Sequence, residues 1–218
     1  MQAVDSEFTK NRSNEERRYI QIEKSWLAKQ GSILNRFSTG NLETLKVPNI
    51  RDHLLEFYKN NYSSNLMTLA LVGNHSLDTL QSFAQEKFSD IENKNFESID
   101  YSNEDTFVHE NGLGHFLYIV PQKDIRTLKV KWPCLKSFKH SWKSKPFRYI
   151  TEVIGSESKN SLLSELIKQG LATSCNCLTF DRLQGEKGGM TVSISLTEKG
   201  LQEYKEILRL LFALIKKI

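Results

Sequence analysis

Hydrophobic positions near the start of the chain repeat with a helical period. Val4, Phe8, Tyr19, Ile22 and Trp26 are separated by four, eleven, three and four residues, one stripe of an amphipathic helix. The pattern predicts a single helix over about 3–28. It is under way by the third residue with no convincing cap before it, so the sequence is expected to begin inside an element. Pro48 and Asn49 then introduce a second helix, IRDHLLEFYKNNY. MTLALVG, at 67–73, is a continuous apolar run bounded by turn formers and predicts a buried strand. Ser76 is a suitable N-cap for a third helix, LDTLQSFAQEKFSDIE.

The stretch 93–114 is polar, acidic and punctuated, the composition of an interdomain linker. Beyond it HFLYIVP (115–121) and TLKVKWP (127–133) predict strands, Pro146 opens a helix through Ile154, and Ser161 starts another that Gly170 ends. ATSCNCLTF and MTVSISLT predict strands flanking the turn DRLQGEKGG, and Thr197 caps a last amphipathic helix. The fold class is therefore α+β in two parts: 1–98, a linker at 99–114, and 115–218.

Composition narrows the function classes. Of 218 residues 39% are hydrophobic and 26% charged, and 30 Lys+Arg against 26 Asp+Glu give a net charge of +4. The two signs are interspersed, so no basic stripe points to nucleic acid. No apolar run approaches the roughly 18 residues of a membrane span, and the charged N-terminus is unlike a secretory signal. Three cysteines are too few and too unevenly spaced for a disulfide framework, which places the chain in a reducing, cytoplasmic compartment.

Catalytic chemistry is sparse. The histidines are His53, His75, His109, His115 and His140, and no pair has the i, i+4 spacing that aims two imidazoles at one metal from a helix. His109 and His115 are six residues apart with Gly112 and Gly114 between them, about 120° apart on any helix, and they read as linker or strand-edge residues. Cys175 and Cys177 alternate on one strand and face one side, which fits small buried side chains better than a metal site with no second pair. There is no G-x-S-x-G elbow, no P-loop and no dinucleotide fingerprint.

A resemblance runs through the whole chain. AVDSE followed by Lys10 and Asn11, then FSTGN (37–41), YSSNLM (62–67), SLDTL, FSDIENKN (88–95), VPQKDIRTLKVKWP, IGSESKNSLLSELIKQG (154–170) and LTEKGL (196–201) resemble, in order, the insulin-degrading-type zinc peptidases of the insulinase/pitrilysin family. The resemblance implies a fold of two partial insulinase-like α+β domains, the back half of the first and the front half of the second, with mixed or antiparallel sheets packed by helices and core faces left open. These enzymes are inverzincins, with two histidines and a catalytic Glu on an H-x-x-E-H helix and a downstream Glu completing the zinc site.

Glu7 matches that downstream Glu; without the resemblance it would be an exposed glutamate favoured by the helix dipole. H-x-x-E-H is absent from the sequence, so the chain alone is expected to be inactive and to hold zinc weakly or not at all. Thr39 matches a position near the active-site cleft, or belongs simply to a structured turn. Arg17 and Ile20 stand where relatives carry aromatic residues. Gly155 and Glu157 match a remote exosite that anchors a peptide beside a strand edge, and Cys175 and Cys177 lie on that strand where relatives have an apolar pair and glycines. Gly155 as an ordinary helix-ending glycine is the alternative. The partners implied are peptide substrates and the remaining insulinase-like domains of the same polypeptide, with a homodimer of the whole protein. A non-catalytic homologue serving as a scaffold or peptide-binding subunit is the rival function.

Overall fold

The computed structural model describes residues 1–27, 31–32, 35–101, 114–134, 141–182 and 187–218. His109, Glu110, His140 and most of the turn after Arg182 fall outside them. The chain divides into two compact units, 1–9 with 38–100 and 10–37 with 101–218.

The first stripe is carried by two helices rather than one, α1 (Gln2–Arg12) and α2 (Glu15–Leu27). The break is local chemistry. Ser13 Oγ donates back to the Lys10 carbonyl at 3.0 Å, and Asn14 Oδ1 accepts the Arg17 N–H at 3.0 Å, capping α2. Short polar side chains that bond to nearby backbone compete with a continuing helix.

In the first unit α3 (Leu42–Leu45), α4 (Ile50–Asn61) and α5 (Leu77–Phe88) follow. Asn41 and Thr44 form a reciprocal capping box on α3, and Ser76 accepts the Thr79 N–H on α5 as expected. The segment 67–73 is not a strand. No described strand lies beside it to complete a ladder, and Leu69, Leu71 and Val72 are exposed at 47%, 38% and 100%. Ser63 is the only fully buried side chain described in this unit; its Oγ accepts the Lys94 N–H at 2.8 Å and bonds Asn65. Leu54, Leu55, Phe57 and Tyr58 of α4 are exposed.

The second unit holds an antiparallel sheet of β1 (Thr127–Cys134), β2 (Ala172–Arg182) and β3 (Lys187–Leu196) in the order β1-β3-β2. Register places Leu128 opposite Ile194 and Cys175, and Val130 opposite Val192 and Cys177, so one face is apolar. Helices α6 (Pro146–Ile154) and α7 (Leu162–Lys168) pack on β2, and α9 (Tyr204–Ile215) packs on both of them. Ile154, Leu166, Leu171, Ile194, Ile207 and Leu211 are fully buried at the centre. Gly170, at φ +70°, ends α7 as expected, and the Leu171 N–H returns to the Leu166 carbonyl at 2.8 Å.

The expected strand at 115–121 forms no ladder; Phe116, Leu117, Tyr118 and Val120 are all exposed, at 60%, 41%, 79% and 84%. The last helix is likewise two, a short α8 (Glu198–Gln202) and α9, divided at Glu203. Thr197 caps α8: its Oγ1 accepts the Gly200 N–H at 2.9 Å and donates to the Gly170 carbonyl at 2.7 Å. Thr197→Val should remove both bonds and cost about 1–2 kcal/mol. A urea midpoint lowered with unchanged slope would register it.

Candidate functional site

Helix α1 presents two carboxylates on different faces. Val4, Asp5, Phe8 and Asn11 are half-buried, whereas Glu7 is exposed. Glu7 takes no hydrogen bond or ion pair among the described residues. Asp5 is occupied: its Oδ1 accepts the Leu42 N–H at 2.9 Å, satisfying the first free amide of α3. Asn41 takes the third, the Thr44 N–H, at 2.8 Å. Thr39 lies two residues before this box, with its Oγ1 buried and without a partner among the described residues.

A metal would find one carboxylate of suitable chemistry in Glu7. No three His, Cys, Asp or Glu side chains converge among the described residues, so a complete metal site is not assembled from them. Of the described histidines, His75 meets Phe83 edge-on at 5.6 Å, and His115 meets Trp26 at 6.2 Å.

The second unit brings Gly155 onto β2. A Cβ on Gly155 would sit 3.2 Å from the Cys177 nitrogen, 3.6 Å from its Cβ and 3.0 Å from the Thr151 carbonyl. The glycine therefore permits a close approach of the end of α6 to the strand. Cys175 and Cys177 share the inner face, at 1% and 7% exposure. Any contact they make with a peptide would run through backbone. Burial raises both thiols to about 11, with Cys175 adding to the shift at Cys177. Both should resist iodoacetamide at pH 7.5 in the native chain and react on unfolding; native alkylation, read by mass spectrometry, would contradict the packing. Glu157 is exposed two residues beyond Gly155.

Sequence patterning missed how α2 is held. Glu15 Oε1 accepts the N–H groups of Gln122 at 2.5 Å and Lys123 at 3.1 Å, and its Oε2 meets Arg18 at 2.8 Å. Glu16 pairs with Lys129 at 2.6 Å, Lys129 stands 3.8 Å over the Tyr19 ring, and Glu23 pairs with a largely buried Lys131. Burial pushes the Tyr19 hydroxyl up, with Glu23 and Glu16 adding to the shift. The helix thus covers the polar face of β1 through charge-assisted bonds. Desolvation pushes the Glu15 carboxyl up, but the Gln122 amide, Arg18 and the Lys123 amide outweigh it and leave it below the ordinary 4.5. The hold is therefore complete above that value and is lost as pH falls through the lower folded one. Hydrogen exchange of α2 should quicken in that acid window, and Glu15→Gln should flatten the dependence.

Among the described helices none is long and apolar enough to cross a membrane.

The chain is α+β, with helices packed on an antiparallel sheet, and Glu7 is one of several exposed helix-borne carboxylates. Residues 49–218 match the family described as Peptidase M16 inactive domain. The A-factor-processing enzyme of Saccharomyces cerevisiae is 36% identical over 99% of the chain and 21% of its own length. Insulin-degrading enzyme of Homo sapiens is 37% identical over the same shares. The crystal structure of pitrilysin superposes with a TM-score of 0.78 at 25% identity, covering 98% of this chain and 23% of its own.

The chain belongs to the M16 peptidase family. It is similar to insulin-degrading enzymes throughout and spans about a fifth of the length of those curated relatives.

Proposed function

We propose that the protein to which this chain belongs is a zinc metalloendopeptidase that hydrolyses short unfolded peptides inside an enclosed chamber. The observation that carries this is Glu7, an exposed carboxylate on α1 with no described partner, set in the AVDSE…KN sequence of a family member. Glu7 lies outside residues 49–218, so the proposed metal ligand comes from the part of the chain that precedes the inactive domain. When bound, zinc would polarise the scissile carbonyl and lower the pKa of its water. This chain's own contribution is to hold one ligand. The other ligands and the general base would come from an H-x-x-E-H helix elsewhere in the polypeptide, which leaves this chain inactive alone.

Thr39 would face the cleft from the first unit. Gly155, Glu157 and the β2 backbone at Cys175 and Cys177 would form a peptide-anchoring edge. Edge pairing suits unfolded peptides because backbone bonds read no sequence. Two buried free thiols, Cys175 and Cys177, support a reducing, cytoplasmic compartment. Other insulinase-like domains of the same polypeptide would cover the open faces of α4, and a homodimer is the assembly expected.

A non-catalytic scaffold is the second reading, favoured by the family description that names residues 49–218 as an inactive domain. The two separate on the full-length protein with a quenched fluorogenic peptide. Chelator-sensitive hydrolysis restored by zinc is expected; absence of cleavage by a folded, zinc-loaded protein would favour the scaffold.

A further inference from the structure

We propose that Asp5 is a positioning residue for Glu7, aiming it by tying α1 to the N-terminus of α3. The inference rests on Glu7 being a metal ligand. Asp5 accepts the Leu42 N–H at 2.9 Å across 37 residues, whereas the other cap of α3, Asn41, is local. This bond restrains the rotation of α1 about its axis, beside the half-burial of Val4, Phe8 and Asn11. Glu7 is two residues further on, about 200° round the helix, and the half-buried positions 4, 5, 8 and 11 leave it on the exposed side. A rotation of α1 would swing its carboxylate away from any ligand position, because the side chain has no described bond of its own to hold it. Groups that orient a ligand in this way change metal affinity by about 10–100-fold when removed.

A purely structural role makes a different forecast. As a first-turn acid, Asp5 also complements the helix dipole, an effect that needs charge. Holding the Leu42 amide needs only an acceptor at the right reach. Asn keeps that acceptor without the charge, whereas Ser and Ala cannot span the gap.

The test is zinc affinity of the full-length protein by competition with a chromogenic chelator, with circular dichroism confirming the fold. Asp5→Ser and Asp5→Ala should bind zinc about tenfold more weakly or worse, Asp5→Asn within about twofold of wild type, and Glu7→Gln far more weakly than any. Wild-type affinity in folded Asp5→Ser or Asp5→Ala, alongside a failing Glu7→Gln, overturns the positioning role alone. An Asp5→Asn loss equal to that of Asp5→Ser also overturns it, by showing that charge and not the acceptor matters. Wild-type affinity in Glu7→Gln overturns the ligand assignment and the inference together.

Discussion

Replacing Glu7 with Gln in the full-length protein is expected to reduce kcat/KM on an unfolded peptide by roughly a thousandfold or more. A ligating metal supplies several kcal/mol of transition-state stabilisation, and each 1.36 kcal/mol is tenfold in rate. As a metal ligand Glu7 would supply a charged oxygen, and the amide preserves length and shape but offers only a neutral one. Stability should barely change, because Glu7 is exposed, has no described partner, and Gln is about as good a helix former. A stability assay beside the kinetics separates the two effects. A loss of activity that followed a loss of fold would contradict a ligand role.

The largest expected structural effect is at Gly200. A Cβ there would lie 1.8 Å from the Leu171 carbonyl oxygen and 2.8 Å from its carbon. That carbonyl cannot easily move: it accepts the Thr197 N–H at 3.1 Å, and Leu171 is fully buried. Alanine would gain about 1 kcal/mol in helix propensity. Overpacking against fixed backbone costs about 1–3 kcal/mol and occasionally more, and a gap of this size belongs at the high end. Gly200→Ala should therefore destabilise the second unit by about 2 kcal/mol or more, seen as a lower urea midpoint. Gly170 is the contrast. Nothing lies within 4 Å of a Cβ there, but its φ of +70° would cost an alanine about 1 kcal/mol. Equal tolerance of alanine at both positions would contradict the packing of α8 on Leu171.

Legibility from sequence followed where the stabilising partner sat. Strands β1, β2 and β3 alternate apolar and polar positions and find one another within the chain, so pattern and structure agree. The runs at 67–73 and 115–121 carry strand-like hydrophobicity, but pairing needs a neighbour that the described residues do not supply. The stripe across Val4–Trp26 hid a break because its spacing jumps eleven residues over Ser13 and Asn14, whose capping chemistry carries no hydrophobic signal.

Local caps at Ser76, Thr197 and Gly170 were visible because their partners are three to five residues or one turn away. The Asp5–Leu42 and Glu15–Gln122 bonds span 37 and 107 residues, and no window of pattern contains them. Glu7 and Gly155 stood out through the family resemblance alone. As isolated residues they are an exposed helical glutamate and a helix-ending glycine.

Zinc content tests the assignment of Glu7 most directly. Full-length protein and its Glu7→Gln variant, purified side by side without added metal, would be analysed for zinc by elemental analysis. Close to one zinc per wild-type chain and little in the variant are expected, with both folded. Equal zinc in the two proteins would contradict the assignment, because Glu7 would then be no ligand.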